Sequence, residues 1–148
     1  MLYNFKKKQQ DGMWASGVRF EIRQRRSVNP EQFAISWTNQ WDLTNGIRVR
    51  GIVSSSWQFS SNKASSGTEI ETRGSVSKKL DDGLRVGVEM FNDLGQLSDF
   101  GSFNDQVHQI GPMIGGTIGD VKYEFRDLAG VYFGARNHNF GLRFDQSF

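Results

Sequence analysis

His108 is the side chain best suited to chemistry. Asp105 and Gln106 precede it, and Glu89 lies on an alternating stretch upstream. An imidazole beside carboxylates and an amide can move protons as a general acid or base. The same four residues, Glu89, Asp105, Gln106 and His108, can instead form a hydrogen-bonded cluster that anchors a long loop, and this is the reading we favour. The other histidine lies in Arg136-Asn137-His138-Asn139. Neither histidine has His-x-His or His-Glu-x-x-His spacing, so no metal site is expected. Ser54-Ser55-Ser56 and Ser60-Ser61 lack a His-x-Ser pattern and read as small polar strand residues, not nucleophiles. The basic set Arg48, Arg85 and Lys122 can attract an anion or pair with acids across an interior. No catalytic residue and no cofactor is expected; an enzyme that modifies lipids is a minor alternative.

The elements that would position these residues follow from composition and spacing. A chain of 148 residues, 36% hydrophobic, is one domain large enough to fold alone. Absence of cysteine excludes a disulfide scaffold, a Cys-ligated metal and a thiol nucleophile. Eighteen Lys and Arg stand against sixteen Asp and Glu, a balance that gives no charge argument for a nucleic-acid partner. No apolar run approaches the roughly 18 residues of a membrane helix. The first ten residues, with Lys6, Lys7 and Lys8, do not read as a signal peptide.

Period-two alternation runs through most of the chain. It predicts eight strands and no helix, over 14–24, 33–43, 47–59, 69–80, 84–90, 108–118, 121–135 and 140–148. Thr44-Asn45-Gly46, Asp81-Asp82-Gly83 and Gly119-Asp120 read as tight turns, because Asn-Gly and Asp-Gly supply positive φ. The other connections, 26–31, 60–67, 94–106 and 136–139, are mostly longer and polar. A hairpin unit repeats: Leu43-Thr-Asn-Gly-Ile-Arg-Val49 returns as Leu80-Asp-Asp-Gly-Leu-Arg-Val86, 37 residues on, and as Thr117-Ile-Gly-Asp-Val-Lys-Tyr123 after 37 more. A repeat with no core of its own suits a closed meander. We expect a tail over 1–11 and an eight-stranded antiparallel up-and-down β-barrel over 12–148.

Alternation leaves open which face is inside. A soluble barrel turns its apolar face in, and a membrane barrel turns it out. The even strand count, with short turns at one end and loops at the other, favours a transmembrane barrel. Trp14 and Trp41 lie toward the turn end and Trp57 and Phe59 toward the loop end, where interface girdles belong. The charged face would then line the lumen with Arg19, Glu21, Arg48, Glu71, Arg85, Lys122, Glu124 and Arg143. Asn39 and Asp127 fit the lipid side poorly; a bulge near 126–128 would turn Asp127 inward. Pro112 removes a ladder hydrogen bond and predicts an irregularity. Closure predicts that 140–148 pairs antiparallel with 14–25.

The final segment, Phe140-Gly-Leu-Arg-Phe-Asp-Gln-Ser-Phe148, resembles the C-terminal signal of bacterial outer-membrane barrels, with Gln146 departing from the usual apolar residue. Gly87-Val-Glu-Met-Phe-Asn-Asp-Leu-Gly95, Asp105-Gln-Val-His-Gln-Ile-Gly-Pro112 and Gly130-Val-Tyr-Phe-Gly134 are similar to the C-terminal part of uncharacterised proteobacterial outer-membrane proteins. The resemblance covers roughly residues 80–148. It implies location in the outer membrane, the lipid bilayer and the barrel assembly machinery as partners, and Phe148 at the periplasmic rim. It carries no chemistry. The expected role is a barrel with a side-chain-filled lumen that acts structurally or through its surface loops. Two alternatives stand. Residues 2–5 followed by 6–12 resemble a strand end and a turn, so the chain can be the C-terminal piece of a larger pore-forming barrel. Gly12-Met13-Trp14 resembles the signature of lipocalin-like soluble barrels, which carry small hydrophobic ligands.

Overall fold

The structure, a computed structural model, describes residues 2–9, 12–23, 31–59, 67–131 and 138–146. They form nine β-strands: β1 (Leu2–Gln9), β2 (Gly12–Arg23), β3 (Glu31–Leu43), β4 (Ile47–Phe59), β5 (Thr68–Lys79), β6 (Arg85–Gln96), β7 (Val107–Ile118), β8 (Val121–Gly130) and β9 (Asn139–Gln146). One 3-10 turn, Phe103–Asp105, interrupts the connection between β6 and β7. All strands belong to one sheet in sequential order, and every neighbouring pair is antiparallel. The eight expected strands are therefore present, with β1 added before them.

The tight turns form where the sequence puts Gly after a polar residue or opens a two-residue link. Gly46, Gly83 and Gly119 all have positive φ, between 58° and 85°. In the first turn Gly46 N–H donates to Thr44 O, and in the second Gly83 N–H donates to Leu80 O. The Pro112 irregularity also appears. The β7–β8 ladder skips Gly111 and Pro112 opposite Leu128 and Asp127, then resumes in the same register at Met113 and Arg126. A proline has no N–H to give, and Gly111 permits the close approach that remains. A Cβ on Gly111 would overlap the carbonyl of Asp127.

Four expectations need correction. Residues 2–9, expected as tail, pair with β2 from Leu2↔Arg19 to Gln9↔Gly12. The alternation of Leu2, Asn4 and Lys6 with Tyr3, Phe5 and Lys7 is too mixed to mark a strand by pattern; the partner edge supplies the ladder. The strand expected over 84–90 continues to Gln96, because a register shift opposite Ile70 and Glu71 absorbs Leu94. Gly95, at φ 78°, and the Asp93 side chain accepting from Gly95 N–H shape that bulge. The sheet is not closed. Within the described residues β9 pairs with β8 alone, while β2 is held by β1 and β3, so 140–146 has no free edge on β2 to pair with. Asp127 is not turned inward. With no register shift on β8 it stays in phase with Phe125, opposite Phe140, and lies 3.6 Å from His138 Nδ1.

The sheet is strongly curved. Among the described residues β9 pairs through its ladder with β8 alone, yet its Arg143 lines one cavity with Arg19 of β2, Ser36 of β3, Arg50 of β4 and Arg73 of β5. The curvature also fixes the faces. Large apolar residues stand on the convex side: Ile22 is 73% exposed, Trp37 53% and Leu142 65%. Among the described residues the only buried hydrophobic side chains are Met113 and Leu128. The side chains enclosed by the curve are mainly charged and small polar ones. Two pairs of polar groups on the convex side are matched locally. Trp37 Nε1 donates to Ser16 Oγ at 2.9 Å, and Asn92 Nδ2 donates to Thr72 Oγ1 at 3.0 Å.

The Gly111 contact yields a stability test. Gly51 and Gly74 have open space where a Cβ would go, whereas Gly111 does not. Gly111→Ala should cost about 1–3 kcal/mol through overpacking. Gly51→Ala and Gly74→Ala should be neutral or slightly stabilising. Denaturant unfolding followed by tryptophan fluorescence separates the two classes.

Candidate functional site: the charged concave face

Among the described residues, the cavities along the concave face include three that share lining side chains. The first, of about 720 Å3, is lined by Arg19, Glu21, Ser54, Glu71, Arg73 and Arg143 among others. The third, of about 340 Å3, is lined near the tight turns by Arg48, Arg85, Lys122, Tyr123, Glu124 and Arg143. Between them is a constriction of about 70 Å3 whose wall carries six arginines and two glutamates. Most of the lining side chains come from the concave phase of their strands. Because the sheet alternates with period two, the residues two apart on each strand share this face.

The centre of the face is an ion cluster around Glu89, which is 4% exposed. Its Oε1 lies 3.4 Å from Arg73 Nε and accepts a hydrogen bond from Arg126 Nη1 at 3.2 Å. Arg73 also lies 5.2 Å over the Phe91 ring, a cation–π contact. Arg126 reaches toward Glu124 at 3.9 Å. These residues sit on β5, β6 and β8, so the cluster ties together strands that are not all neighbours. Nearer the turns, Asp42 accepts from Arg48 through both carboxylate oxygens and from Gln40 Nε2 at 2.9 Å. Arg85 Nη1 donates to Gly46 O, Ser77 O and Ser77 Oγ. At the more open end Arg19 and Glu21 pair at 3.0 Å, with Arg19 well exposed.

All eight residues expected along the lumen line these cavities: Arg19, Glu21, Glu71 and Arg143 in the first, and Arg48, Arg85, Lys122, Glu124 and again Arg143 in the third. Three arginines outside that set carry as much of the site. Arg50, Arg73 and Arg126 occupy the same alternating phase, and that phase alone was the signal for them.

The expected polar cluster is not assembled. Glu89 is committed to arginines. Asp105 caps the 3-10 turn, accepting from Ser102 Oγ at 2.7 Å and from Ser102 N–H at 3.0 Å. Gln106 donates to Phe100 O at 2.9 Å. His108 is buried, bonded through Nδ1 to Asn92 Oδ1 at 2.9 Å, and stacked on Phe103 with ring centroids 4.0 Å apart. His108 and Asn92 lie in the convex phase and Glu89 in the concave one, so the sheet separates them. Apart from Glu89, the residues Asp105, Gln106 and His108 each hold part of the segment between β6 and β7 by separate contacts.

Of the expected interface aromatics, Trp14 and Trp41 are direct cross-strand partners near the tight turns. Trp57 stacks on Phe33 at 5.6 Å toward the other end. Phe59 ends β4 opposite Glu31, and its side chain, like Phe148, lies outside the described residues. Among the described residues no group of His, Asp or Glu is arranged to hold a metal ion. No protein-family model, curated protein or solved structure matches the chain.

The geometry grades the ion pairs. Removing the Glu89 charge strands two arginines in a poorly hydrated place, which should cost about 3–5 kcal/mol. The exposed Arg19–Glu21 pair should be worth about 0–1 kcal/mol. Chemical unfolding of Glu89→Gln and Glu21→Gln in matched conditions should show that difference. The loop gives a pH prediction. Hydrogen bonds from the Ser102 hydroxyl, then from its N–H, hold the Asp105 carboxyl below the usual carboxylate range. Its contribution to loop order is therefore complete above the ordinary carboxylate pKa and is lost as pH falls through the lowered value. Amide-exchange protection of Ser102 should fall in acid, and Asp105→Asn should show the weaker protection at every pH.

Proposed function

We propose that the chain forms the wall of a β-barrel in the bacterial outer membrane, with lipid on its convex face and solutes or loop partners as its only aqueous contacts. One observation carries this reading: the curved sheet keeps its charges inside and its large apolar residues outside. Water would reward the opposite arrangement by about 25 cal/mol per Å2 of apolar surface buried. A soluble hydrophobic-ligand carrier needs an apolar interior, whereas this concave face is lined by arginine and glutamate. Strand length agrees as well. Strands β2 to β7 have 12 or 13 residues, enough for the roughly 9–11 residues of a tilted membrane strand. The aromatic pairs at Trp14–Trp41 and Phe33–Trp57 stand at opposite ends, as two interface girdles would. The role is structural or surface-binding, carried by the segment Leu97–Gln106 with Phe100 and Phe103 exposed. The chain's partners are the bilayer and the barrel assembly machinery.

A second reading, the wall of a larger pore-forming barrel, is favoured by β1. In an up-and-down sheet of nine strands, β1 and β9 run in the same direction, whereas the known single-chain bacterial barrels have even strand numbers. Open edges in lipid leave backbone donors and acceptors unpaired at several kcal/mol each. Closure therefore needs either β1 to leave β2, so that β9 can pair there antiparallel, or further strands.

Refolding tests the membrane reading. The chain should fold only with detergent or lipid present and should migrate faster unheated than boiled. A monodisperse, stable monomer in plain buffer would overturn it. Planar-bilayer recording then separates the two closures: no steady conductance for the small barrel, and a large stable conductance for the pore.

A further inference from the structure

We propose that the constriction on the concave face binds a small tetrahedral oxyanion of the phosphate class, through Arg50 with Arg85 as its second cation. The inference goes beyond the membrane reading, since it depends on the enclosed face and not on what covers the convex one.

The charge arithmetic of the site is the starting point. Its wall has six arginines and only two glutamates. The carboxylates in reach are already engaged. Asp42 is taken bidentately by Arg48, and Glu89 by Arg73 and Arg126. Glu124 lies 3.9 Å from Arg126 and opposite Arg143 in the ladder. Among the described residues, Arg50 and Arg85 of this wall have no hydrogen bond or ion pair to a carboxylate. Arg50 Nε is buried with no hydrogen-bond partner among the described residues. Arg85 donates only to neutral acceptors, two backbone carbonyls and the Ser77 hydroxyl.

An enclosed guanidinium without a counter-charge is costly, and an anion from solution would remove that cost. The planar fork of arginine matches the spacing of oxygens on phosphate, which favours this class of ligand over chloride. Size limits the choice further. A cavity of about 70 Å3 has room for a few waters or one small oxyanion, not for a sugar or a nucleoside. Entry is through the larger cavity near the tight turns, which shares Arg48, Arg85 and Arg143 with the constriction and adds Lys122. That approach carries Arg48, Lys79, Arg85, Lys122 and Arg143 against the single carboxylate of Glu124, so it concentrates anions ahead of the site.

The same chemistry is offered by free phosphate and by a lipid headgroup. The test therefore uses two probes on the folded chain in a phosphate-free non-ionic detergent at low salt. Inorganic phosphate and a short-chain phosphatidic acid are titrated separately, followed by calorimetry and phosphorus NMR. Saturable one-to-one binding of either probe is expected, with a rise in melting temperature that scales with its concentration. Which probe binds identifies the source. Arg50→Gln should weaken binding at least tenfold, while Arg19→Gln, whose side chain pairs with Glu21 in the other cavity, should bind as the parent does. Circular dichroism of each variant checks that the sheet is intact. No saturable binding of either probe to the parent chain overturns the proposal without any variant being needed. Unchanged affinity in a folded Arg50→Gln variant overturns the assignment to Arg50. Detergent dependence of folding plays no part in this readout, so the proposal and the membrane reading fail separately.

Discussion

Glu89 lies between Arg73 and Arg126 on the inside of the curve, and the rest of the structure follows from that placement. A strand that points Glu89 inward points Val88 and Met90 outward, because successive side chains take opposite faces. Antiparallel registers then carry the choice from strand to strand. Val88 stands beside Val76 on β5, and Phe125 beside Leu142 on β9. One buried ion cluster thus commits the whole sheet to an apolar exterior. Its members need each other: the attraction between charges repays their dehydration only while the geometry and the remaining hydrogen bonds hold.

The edges are the second constraint. A curved sheet whose first and last strands do not meet presents two rows of backbone donors and acceptors. In this chain β1 has taken the edge of β2 that β9 would need. Eight strands and closure are thus alternatives to nine strands and an open seam. The concave face is indifferent to that choice in its middle, where β5, β6 and β8 supply the ion cluster. It is sensitive at the seam, where Arg143 of β9 lines the first cavity together with Arg19 and Glu21 of β2.

Much of the fold could be read from the sequence, since alternation and turn chemistry act locally. Asn45-Gly46 and Asp82-Gly83 mark their turns because few other residues accept positive φ, and the structure has glycine there with φ of 73° and 85°. The concave-face residues were legible for the same reason: Arg48, Arg85 and Lys122 follow equivalent turns. Pairing at a distance was not legible. Nothing local to residues 2–9 says that β2 will receive them, and alternation past Met90 is broken by the bulge at Leu94. The polar cluster failed because proximity in sequence ignores the pleat. His108 and Glu89 lie in adjacent strands on opposite faces, so no arrangement of their side chains joins them through the sheet. Asp127 shows the converse. The expected bulge would have spared it a place on the convex face, but skipping the ladder at Gly111 and Pro112 keeps the register and leaves it there beside His138.

The central claim is that the convex face meets acyl chains, and Trp37 tests it most directly. It is 53% exposed, lies on that face, and has its indole N–H already satisfied by Ser16. A variant with Trp14, Trp41 and Trp57 replaced by Phe leaves it as the sole tryptophan. In liposomes, its fluorescence should be quenched by lipids brominated along their acyl chains and shielded from aqueous iodide. Strong iodide quenching with no response to brominated lipid would place that face in water and contradict the account.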